Sequence, residues 1–296
     1  MRNGASTLGQ AIGSIALQDF PHRFMEMILV DDGSVDETLS IVHECAEEID
    51  IKVIVFSHSW QGLGPSRNVV VNNAAGEYIV WVDSDMILPK DHVRKQVEFM
   101  DSHPNVGIAK ARYGQMDNDS LVAAFENIPF ILLDIKEESL CSKLPGTGGA
   151  VFRVDAVRQV GGFDSKLTGV GEDQDIAYRI REAGWLIRRS PAFFYERRQQ
   201  TWYGLWRKWK WYGYGDNQLY NKNRNVFSLF RMNSVSGFTN GLLQLADAYR
   251  MTHKISVLLL PFHYAFRMTA WCTGFALRQT EKTRGRFVSI MRFERV

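Results

Sequence analysis

The sequence has few of the residues that build disulfide frameworks or zinc sites. Its 296 residues include three cysteines, which are widely spaced at Cys45, Cys141 and Cys272. An odd number of distant cysteines fits neither a set of disulfides nor the spacing of zinc ligands. Because disulfides persist mainly in oxidising compartments, this usage predicts a reducing, cytoplasmic location.

The chain also lacks a strong net charge of one sign. A formal net charge of +2 gives it no general affinity for polyanions, so no nucleic-acid partner is expected. Residues 188–231 carry ten Lys/Arg against two acidic residues, a local net charge of +8 that leaves −6 for the rest of the chain. The positive charge is therefore concentrated in one segment of the C-terminal half.

Two common nucleotide-binding signatures are missing. A glycine-bearing loop at residues 61–68 has no Gly-x-Gly-x-x-Gly pattern, and no Gly-Lys-Ser/Thr follows it. These absences exclude a Rossmann dinucleotide fingerprint and a P-loop. The small residues of the loop still let the backbone approach a ligand, and Arg67 adds a planar donor group suited to phosphate or a base edge.

The composition of the chain and the pattern of its apolar residues are typical of a globular α/β protein. Hydrophobic residues make up 45% and charged residues 23% of the chain, which is normal for a soluble fold. Apolar, β-favouring runs alternate with helical patterns, which predicts a doubly wound, mixed but mostly parallel sheet with helices on both faces. The predicted strands lie at residues 24–30, 51–56, 78–82 and 106–112.

Acidic residues follow two of these strands. Asp31 and Asp32 end the first strand, where carboxylates would accept hydrogen bonds from a base or ribose. Asp83 and Asp85 follow the strand at 78–82, and on an extended backbone residues at i and i+2 point the same way. Paired carboxylates suit Mg²⁺ or Mn²⁺, which usually bind together with substrate phosphates. In both places the alternative is a plain turn that caps the following helix.

Two further segments carry candidate chemistry. Gly148 and Gly149 belong to a glycine-rich run that suggests close approach of the backbone to a donor or acceptor, although a tight turn would use the same residues. A helix is predicted from Asp173 onward, with Glu172 beside it at the start. Carboxylates at a helix N-terminus are stabilised as anions, so this pair is a candidate catalytic base, with ordinary helix capping as the alternative.

In this order and at these intervals, the motifs resemble those of the family 2 glycosyltransferases, which are inverting nucleotide-sugar enzymes with the GT-A fold. The resemblance covers residues 2–220. It rests on Val-Asp-Asp-Gly-Ser at 30–34, Gly-Pro-Ser-Arg-Asn at 64–68, Asp-Ser-Asp at 83–85, Gly-Gly-Phe-Asp at 161–164 and Gly-Glu-Asp-Gln-Asp at 171–175.

The resemblance implies a role for each of the main polar residues. It implies that Asp32 meets the nucleotide base, that Arg67 lies by the nucleotide and that Asp83 approaches the ribose. It further implies that Asp85 ligates Mg²⁺ or Mn²⁺ and that Asp173 is the general base. The ion would neutralise the leaving diphosphate while Asp173 accepts the proton of the attacking hydroxyl, so inversion in a single displacement is expected.

Two features depart from the family pattern. Members usually begin with an apolar strand before the Arg-Asn-Gly segment, whereas this sequence starts at Met1, directly before that segment. Because the first predicted strand would then lose a neighbour in the sheet, we expect the natural start to lie upstream. Many members also place a metal-proximal histidine after the base helix, where this chain reads Phe-Tyr-Glu-Arg-Arg at residues 194–198. Metal coordination beyond Asp85 is therefore not implied.

The C-terminal part, residues 186–296, is expected to form helices that face an acceptor or a membrane. In residues 193–214, ten of 22 residues are aromatic, and Trp202, Trp206 and Trp209 share one helical face. This face fits a buried packing surface or a membrane-interface helix. A stacking platform for single-stranded nucleic acid is the third alternative, and the sugar-nucleotide motifs disfavour it.

Residues 255–277 form a mostly apolar stretch that is long enough to span a bilayer. Arg267 in its middle would cost ~2.5–3.5 kcal/mol to insert, whereas each Leu, Ile or Phe contributes only about 0.3–0.6 kcal/mol in favour. A hairpin in the membrane interface is therefore predicted over a true span, and soluble helices covering the catalytic part are the alternative. The basic tail that follows fits a cytoplasmic membrane face; it contains Arg278, Lys282, Arg284 and Arg286.

Together the patterns predict a catalytic domain at residues 1–185 and a helical region at residues 186–296. The predicted reaction moves a sugar from a nucleotide-diphosphate sugar to a glycan or lipid-linked acceptor, in cell-surface glycan, glycolipid or polysaccharide synthesis at the inner face of the cell membrane. A sugar-phosphate nucleotidyltransferase is one alternative, but it would need a glycine-rich, Arg/Lys-bearing loop near the N-terminus. A non-catalytic nucleotide-sugar-binding module is the other, because it would explain the missing strand and histidine.

Overall fold

The structure is a computed structural model, which describes residues 1–115, 120–136 and 144–283. Within these residues the strands form a two-stranded and a five-stranded sheet, helices pack around both, and a block of helices follows. The predicted mixed α/β architecture with a C-terminal helical region is confirmed.

The N-terminal layer is a parallel pair of strands with helices packed against it. Leu8 and Ile12 lie one turn apart on the first helix and pack into a cluster with buried side chains of the first strand and second helix, because residues four apart share a helical face. This packing fixes the carboxyl end of the first strand, which carries Asp31 and Asp32. The elements are α1 (Ala5–Ala16), β1 (Glu26–Asp32), α2 (Thr38–Glu48) and β2 (Lys52–His58).

The five-stranded sheet has the order β3-β6-β5-β7-β4. The pair β5–β7 is parallel, whereas β3–β6, β5–β6 and β4–β7 are antiparallel. Its strands are β3 (Tyr78–Val80), β4 (Met86–Ile87), β5 (Val106–Tyr113), β6 (Ala150–Arg153) and β7 (Leu186–Glu196). Because β7 lies inside this sheet, the helical block begins only after it, at Trp202.

Helices cover both faces of the larger sheet because successive strand residues point to opposite sides. Ile108 and Phe152 pack with α3, α6 and α7, whereas their neighbours Ala109 and Val151 pack with Met100 of α4. The helices of this part are α3 (Leu63–Asn73), α4 (His92–Ser102), α5 (Leu121–Lys136), α6 (Val154–Gln159) and α7 (Glu172–Glu182).

The C-terminal block is held together by close contact between helix backbones. Gly213 packs directly on the carbonyl group of Trp271, and Gly274 packs on that of Lys210, so no side chain separates the two long helices at these points. The elements are α8 (Trp202–Lys222), α9 (Ser234–Leu243), α10 (Leu245–Thr252), a 3₁₀ turn at Ile255–Leu259 and α11 (Leu260–Thr283).

The tryptophan face of α8 is a packing surface against α11, as the first of the three interpretations had it. The rings of Trp202 and Trp206 lie 5.1 and 5.3 Å from the ring of Phe266. The Arg267 guanidinium is buried 4.7 Å from the Trp209 ring, so it faces protein rather than lipid. None of the helices in the described ranges combines the length and apolarity that crossing a membrane would require. Residues 284–296, which include Arg284 and Arg286 of the basic tail, lie outside those ranges.

The segment after β3 differs from the prediction. The strand expected at residues 78–82 ends at Val80, and the N–H of Met86 donates a hydrogen bond of 3.0 Å to the carbonyl of Asp83. Asp83 and Asp85 therefore stand in a turn, and the prediction that they share a direction on an extended backbone is wrong. The chain has to reverse here because β4 runs back to pair with β7.

The edge of β1 opposite β2 carries no paired strand among the described residues. The backbone of Met1 lies there: its amino group donates to the carbonyl of Val30 at 2.7 Å, and its carbonyl accepts from the N–H of Asp32 at 2.9 Å. The expectation of an upstream start stays a prediction.

Candidate active site

The carboxyl end of β1 is tied to the glycine-bearing loop through Asp32. Its two buried carboxylate oxygens accept hydrogen bonds from the backbone N–H groups of Gln61 at 2.7 Å and Gly62 at 3.0 Å. Asp31 is also buried; one oxygen accepts from the N–H of Ser34 at 3.2 Å, and the other has no partner among the described residues. Because an unpaired buried acceptor is costly, a ligand that donates to Asp31 would be stabilised here.

Arg67 connects this loop to two other acidic segments. Its guanidinium pairs with the buried carboxylate of Glu172 and lies 3.8 Å from a carboxylate oxygen of Asp83. The same group lies 5.8 Å from the ring of Trp81 and 5.7 Å from that of Phe163, within range of cation–π attraction. Arg67 therefore holds α3, the turn after β3 and the start of α7 in one arrangement.

Asp83 and Asp85 experience different surroundings within the same turn. The side chain of Asp83 is 49% exposed, whereas Asp85 is half-buried. Burial, together with the negative charges of Glu196 and Asp83, raises the pKa of Asp85 to about 7, although Lys208 acts in the opposite direction. Glu196 is itself bound by Arg198 at 2.6 Å and lies 3.6 Å from Lys208. The turn is therefore crowded with carboxylates.

The carboxylates of this turn could supply part of a binding site for a divalent ion. Across residues 1–115, 120–136 and 144–283, no group of three or more His, Cys, Asp or Glu side chains is arranged to hold a metal ion by itself. Mg²⁺, however, usually binds through one or two carboxylates and completes its shell with substrate phosphates and water. Burial and the neighbouring carboxylates raise the pKa of Asp85, and a nearby cation would act in the opposite direction, as Lys208 does. Asp85 is thus the residue that would hold the ion.

The glycine-rich run at residues 146–149 is fixed from beneath. Buried Lys110 donates hydrogen bonds to the carbonyl oxygen of Gly148 and, at 3.4 Å, to that of Gly146. Gly149 has a φ of +65° and packs against the ring of Phe194, where a Cβ atom would overlap the ring. Only glycine satisfies both conditions, so this run has a defined shape.

The same run lies between the two ends of the proposed site. A Cβ atom at Gly148 would lie 2.9 Å from a carboxylate oxygen of Asp83, and one at Gly146 would lie 3.0 Å from a carboxylate oxygen of Asp173. The predicted donor or acceptor loop therefore joins the turn after β3 to the start of α7. Together with Arg67, it brings the acidic residues from distant parts of the chain into one neighbourhood.

Asp173 lies in the first turn of α7, and the N–H of Gln174 donates to it at 2.7 Å. A second carboxylate, Asp216 of α8, approaches this turn and accepts a hydrogen bond of 2.7 Å from the indole N–H of Trp271. Burial raises the pKa of Asp216 to about 7; the bond from Trp271 opposes the shift and the charge of Asp173 adds to it. The packing of Gly215 against Val170 holds α8 in this position.

The raised pKa of Asp216 predicts a pH-dependent stability. Its folded-state pKa of about 7 exceeds the ordinary 3.8, so the folded protein retains a proton that the unfolded chain has released between these values. The contribution of this proton to the free energy of unfolding is complete below pH 3.8 and is lost as the pH rises towards 7. The variant Asp216→Asn still accepts the hydrogen bond from Trp271 but cannot ionise. We expect the urea midpoint of this variant, relative to that of the wild type, to be higher at pH 8 than at pH 5.

The control for this experiment is Asp155→Asn, which changes an exposed aspartate in the first turn of α6. Its stability relative to wild type is expected to be the same at the two pH values. An equal effect of Asp216→Asn at pH 5 and pH 8 would contradict the raised pKa.

Three residues at this site are not indicated by the sequence motifs: Lys110, Lys208 and Asp216. A lysine that follows four apolar or small residues in β5, and a single acidic residue in the basic, aromatic helix α8, are the signals that point to Lys110 and Asp216. No comparable signal exists for Lys208, because it is one of several cations in α8 and only the fold places it 3.3 Å from buried Glu126.

The sequence matches a glycosyltransferase family model and curated enzymes of glycan synthesis. Residues 1–161 match the family model described as Glycosyl transferase family 2. The poly(ribitol-phosphate) beta-N-acetylglucosaminyltransferase TarS of Staphylococcus aureus is 35% identical over 101 residues, which are 34% of this chain and 18% of TarS. The poly-beta-1,6-N-acetyl-D-glucosamine synthase of Staphylococcus epidermidis is 23% identical over 212 residues, 70% of this chain and 50% of the synthase. The chain thus spans half or less of these curated relatives.

Solved structures show the same fold. The mannosyltransferase PcManGT from Pyrobaculum calidifontis, in complex with GDP-Man and Mn²⁺, has a TM-score of 0.65 at 16% identity, covering 95% of this chain and 86% of that one. Residues 1–349 of TarS in complex with UDP-GlcNAc give a TM-score of 0.52 at 17% identity, covering 97% and 91%. At these identities the likeness concerns the fold alone, and the predicted GT-A fold is confirmed.

Proposed function

The chain belongs to glycosyl transferase family 2, and we propose that it moves a sugar from a nucleotide-diphosphate sugar to an acceptor hydroxyl with inversion at the anomeric carbon. The observation that carries this proposal is the position of Arg67, which pairs with Glu172 and lies 3.8 Å from Asp83. This arrangement gathers the residues expected to bind the donor next to the helix that carries the expected base. A nucleotide-sugar donor is also named with PcManGT and with TarS.

The donor half of the site would bind the nucleotide through groups that are already held in place. Asp31 offers a buried acceptor to a base or ribose donor, and Asp32 fixes the loop that carries Arg67. Exposed Asp83 would accept from a ribose hydroxyl. Glu172 is buried and bound to Arg67, so in this proposal it positions the guanidinium rather than touching the reacting atoms.

The acceptor half would hold and deprotonate the attacking hydroxyl. Asp173 takes the hydroxyl proton as the new bond forms between the acceptor oxygen and the anomeric carbon, while the bond from that carbon to the diphosphate breaks. Asp173 lies in the first turn of α7, where the helix dipole favours negative charge, and Gly146 leaves space beside it for an acceptor. No carboxylate nucleophile is needed, so the configuration inverts in one displacement.

Mg²⁺ or Mn²⁺ bound by Asp85 would supply positive charge to the leaving diphosphate. The neighbouring Glu196 is not available to this ion, because its carboxylate already pairs with Arg198 and Lys208. Asp85 is therefore the carboxylate of this cluster that is left to meet an ion, and Glu196 takes no direct part.

The acceptor is proposed to be a glycan or a lipid-linked saccharide, used in the synthesis of cell-surface glycan, glycolipid or polysaccharide at the inner face of the cell membrane. The names of the relatives support this class, since TarS is named for transfer to poly(ribitol-phosphate) and the Staphylococcus epidermidis synthase for making poly-beta-1,6-N-acetyl-D-glucosamine. The absence of a disulfide-compatible cysteine pattern agrees with a cytoplasmic location.

Thermal unfolding with a panel of UDP-, GDP- and dTDP-sugars, each with and without Mn²⁺, tests the donor site. A ligand at 100 times its Kd adds about 2.7 kcal/mol to the free energy of unfolding, which corresponds to a rise of roughly 5 °C in Tm for a domain of this size. We expect one nucleotide class to raise the Tm, and to do so more strongly with Mn²⁺. In Asp85→Asn the additional effect of Mn²⁺ should disappear.

The matched control is Asp50→Asn, which changes an 80% exposed aspartate on the N-terminal layer and should respond to Mn²⁺ like the wild type. No stabilisation by any member of the panel would contradict the donor site. Stabilisation without turnover on any acceptor would instead support a non-catalytic binding module.

A further inference from the structure

The C-terminal block exposes a large apolar surface that the proposed reaction does not use. Its side chains come from α9, the 3₁₀ turn and the start of α11, and six of the seven are 47% to 75% exposed. We call this surface the α9–α11 face; it consists of Val235, Phe238, Leu242, Ile255, Leu258, Leu259 and Phe262. Single exposed apolar residues are normal, whereas a group of this size marks an interaction site.

The α9–α11 face is continuous because the two helices pack through small residues. Gly237 lies on the carbonyl of Tyr264 and Gly241 lies on Pro261, so α9 rests closely on the start of α11. The large residues of α9 are thereby turned outward beside those of α11. The ring of Phe238 lies 5.4 Å from the ring of Phe262, which joins the two halves of the face.

The segments that carry this face are basic. Residues 217–280 contain seven Lys/Arg and one acidic residue, Asp247; of the seven, Arg267 is buried and Lys222 pairs with Asp164 and Asp175. Arg250 and Lys254 are exposed in the segment of the chain between Leu242 and Ile255, and Arg224 and Arg231 are exposed in the segment before α9. Asp247 lies 3.5 Å from Arg250 and so offsets part of one of these charges. A partner that binds this face would need an apolar surface at the contact and negative charge around it.

We propose that the α9–α11 face docks on the surface of a bilayer containing anionic lipid. Its aliphatic and phenyl groups offer no hydrogen bond, so they would be recognised by burial alone, as at the boundary between headgroups and acyl chains. The surrounding cations would bind anionic headgroups. A second copy of this chain is disfavoured because it would bring two basic surfaces together. The inference deepens the proposed function, since it places the enzyme where a lipid-linked acceptor is held.

Vesicle flotation of the complete chain tests the proposal. We expect the protein to float with vesicles of phosphatidylcholine and phosphatidylglycerol, to float weakly with phosphatidylcholine alone, and to dissociate as the salt concentration rises. The variant Leu258→Glu with Phe262→Glu changes two residues that are more than 60% exposed, and it should reduce vesicle partitioning by about tenfold or more. Its matched control is Phe24→Glu, which changes a 68% exposed residue of the N-terminal layer and should partition like the wild type.

A second variant tests the charge without touching the apolar residues. Arg250→Gln with Lys254→Gln should weaken binding to the anionic vesicles about tenfold and leave the weak binding to neutral vesicles unchanged. Its control is Lys90→Gln with Lys166→Gln, two exposed lysines of the catalytic part.

Three results would overturn the proposal. These are no flotation with either vesicle, equal flotation of the wild type and both test variants, and a concentration-dependent dimer in light scattering that the Leu258→Glu, Phe262→Glu variant abolishes. Stabilisation by a nucleotide sugar is measured without vesicles. Its failure would therefore count against the proposed function, whereas failure of flotation alone would count against the docking surface.

Discussion

Replacing Asp173 by Asn is expected to lower kcat for sugar transfer by about 10²–10⁴-fold, the range that loss of a general base typically gives. Asparagine has nearly the same size and still accepts the hydrogen bond that the N–H of Gln174 donates at 2.7 Å. It cannot take a proton from the attacking hydroxyl. The start of α7 should therefore keep its structure while the chemical step slows.

The measurement is a single-turnover rate with saturating donor and acceptor, together with the donor-induced rise in Tm. Unchanged stabilisation by the donor with a slow chemical step is the expected pair of results. The control is Asp155→Asn in the first turn of α6, which should transfer sugar at the wild-type rate. Undiminished turnover in Asp173→Asn would exclude the base role, and loss of donor binding would move Asp173 into the donor half of the site.

Replacing Arg67 by Met is expected to cost about 3–5 kcal/mol of the free energy of unfolding, because it leaves one partner of a buried ion pair alone. Glu172 is 1% exposed and its second oxygen has no partner among the described residues, so no other cation is placed to neutralise it. Methionine keeps the apolar contacts with Trp81 and Phe163 but not the charge. Donor binding should be lost as well.

Urea unfolding of the single and double variants separates the charge from the packing. Adding Glu172→Gln to Arg67→Met removes the stranded carboxylate and should restore part of the lost stability. Arg94→Met is the control, since its pair with Asp19 is 40% exposed on both sides and should contribute little. If Arg67→Met unfolds like this control, the buried pair does not hold the site together.

The local features of the site follow from the sequence. The start of α7, the acidic end of β1 and the common face of Trp202, Trp206 and Trp209 are each set by residues close together in the chain, so periodicity and capping patterns predict them. The roles of Asp32, Asp85 and Asp173 are implied by the resemblance to the family and stay predictions, although the structure brings these segments together.

The long-range features do not follow from the sequence. The pair of Arg67 and Glu172 joins residues 105 positions apart, and no local pattern distinguishes this arginine from a solvent-exposed one. The turn from Asp83 to Met86 is not indicated by the local sequence, because it is imposed by the pairing of β4 with β7, whose partner residues lie 108 to 110 positions further along the chain. Asp216 was missed because only the packing of α8 on Val170 brings it beside α7.

The glycine contacts between α8 and α11 have a mechanical consequence. Where Gly213 meets Trp271 and Gly274 meets Lys210, backbone rests on backbone, so neither helix can slide or roll along the other without a collision. The two helices must therefore move as one rigid unit, which carries Asp216 in α8 and Phe262 near the start of α11. Any movement of the start of α11 would therefore also move Asp216 relative to α7.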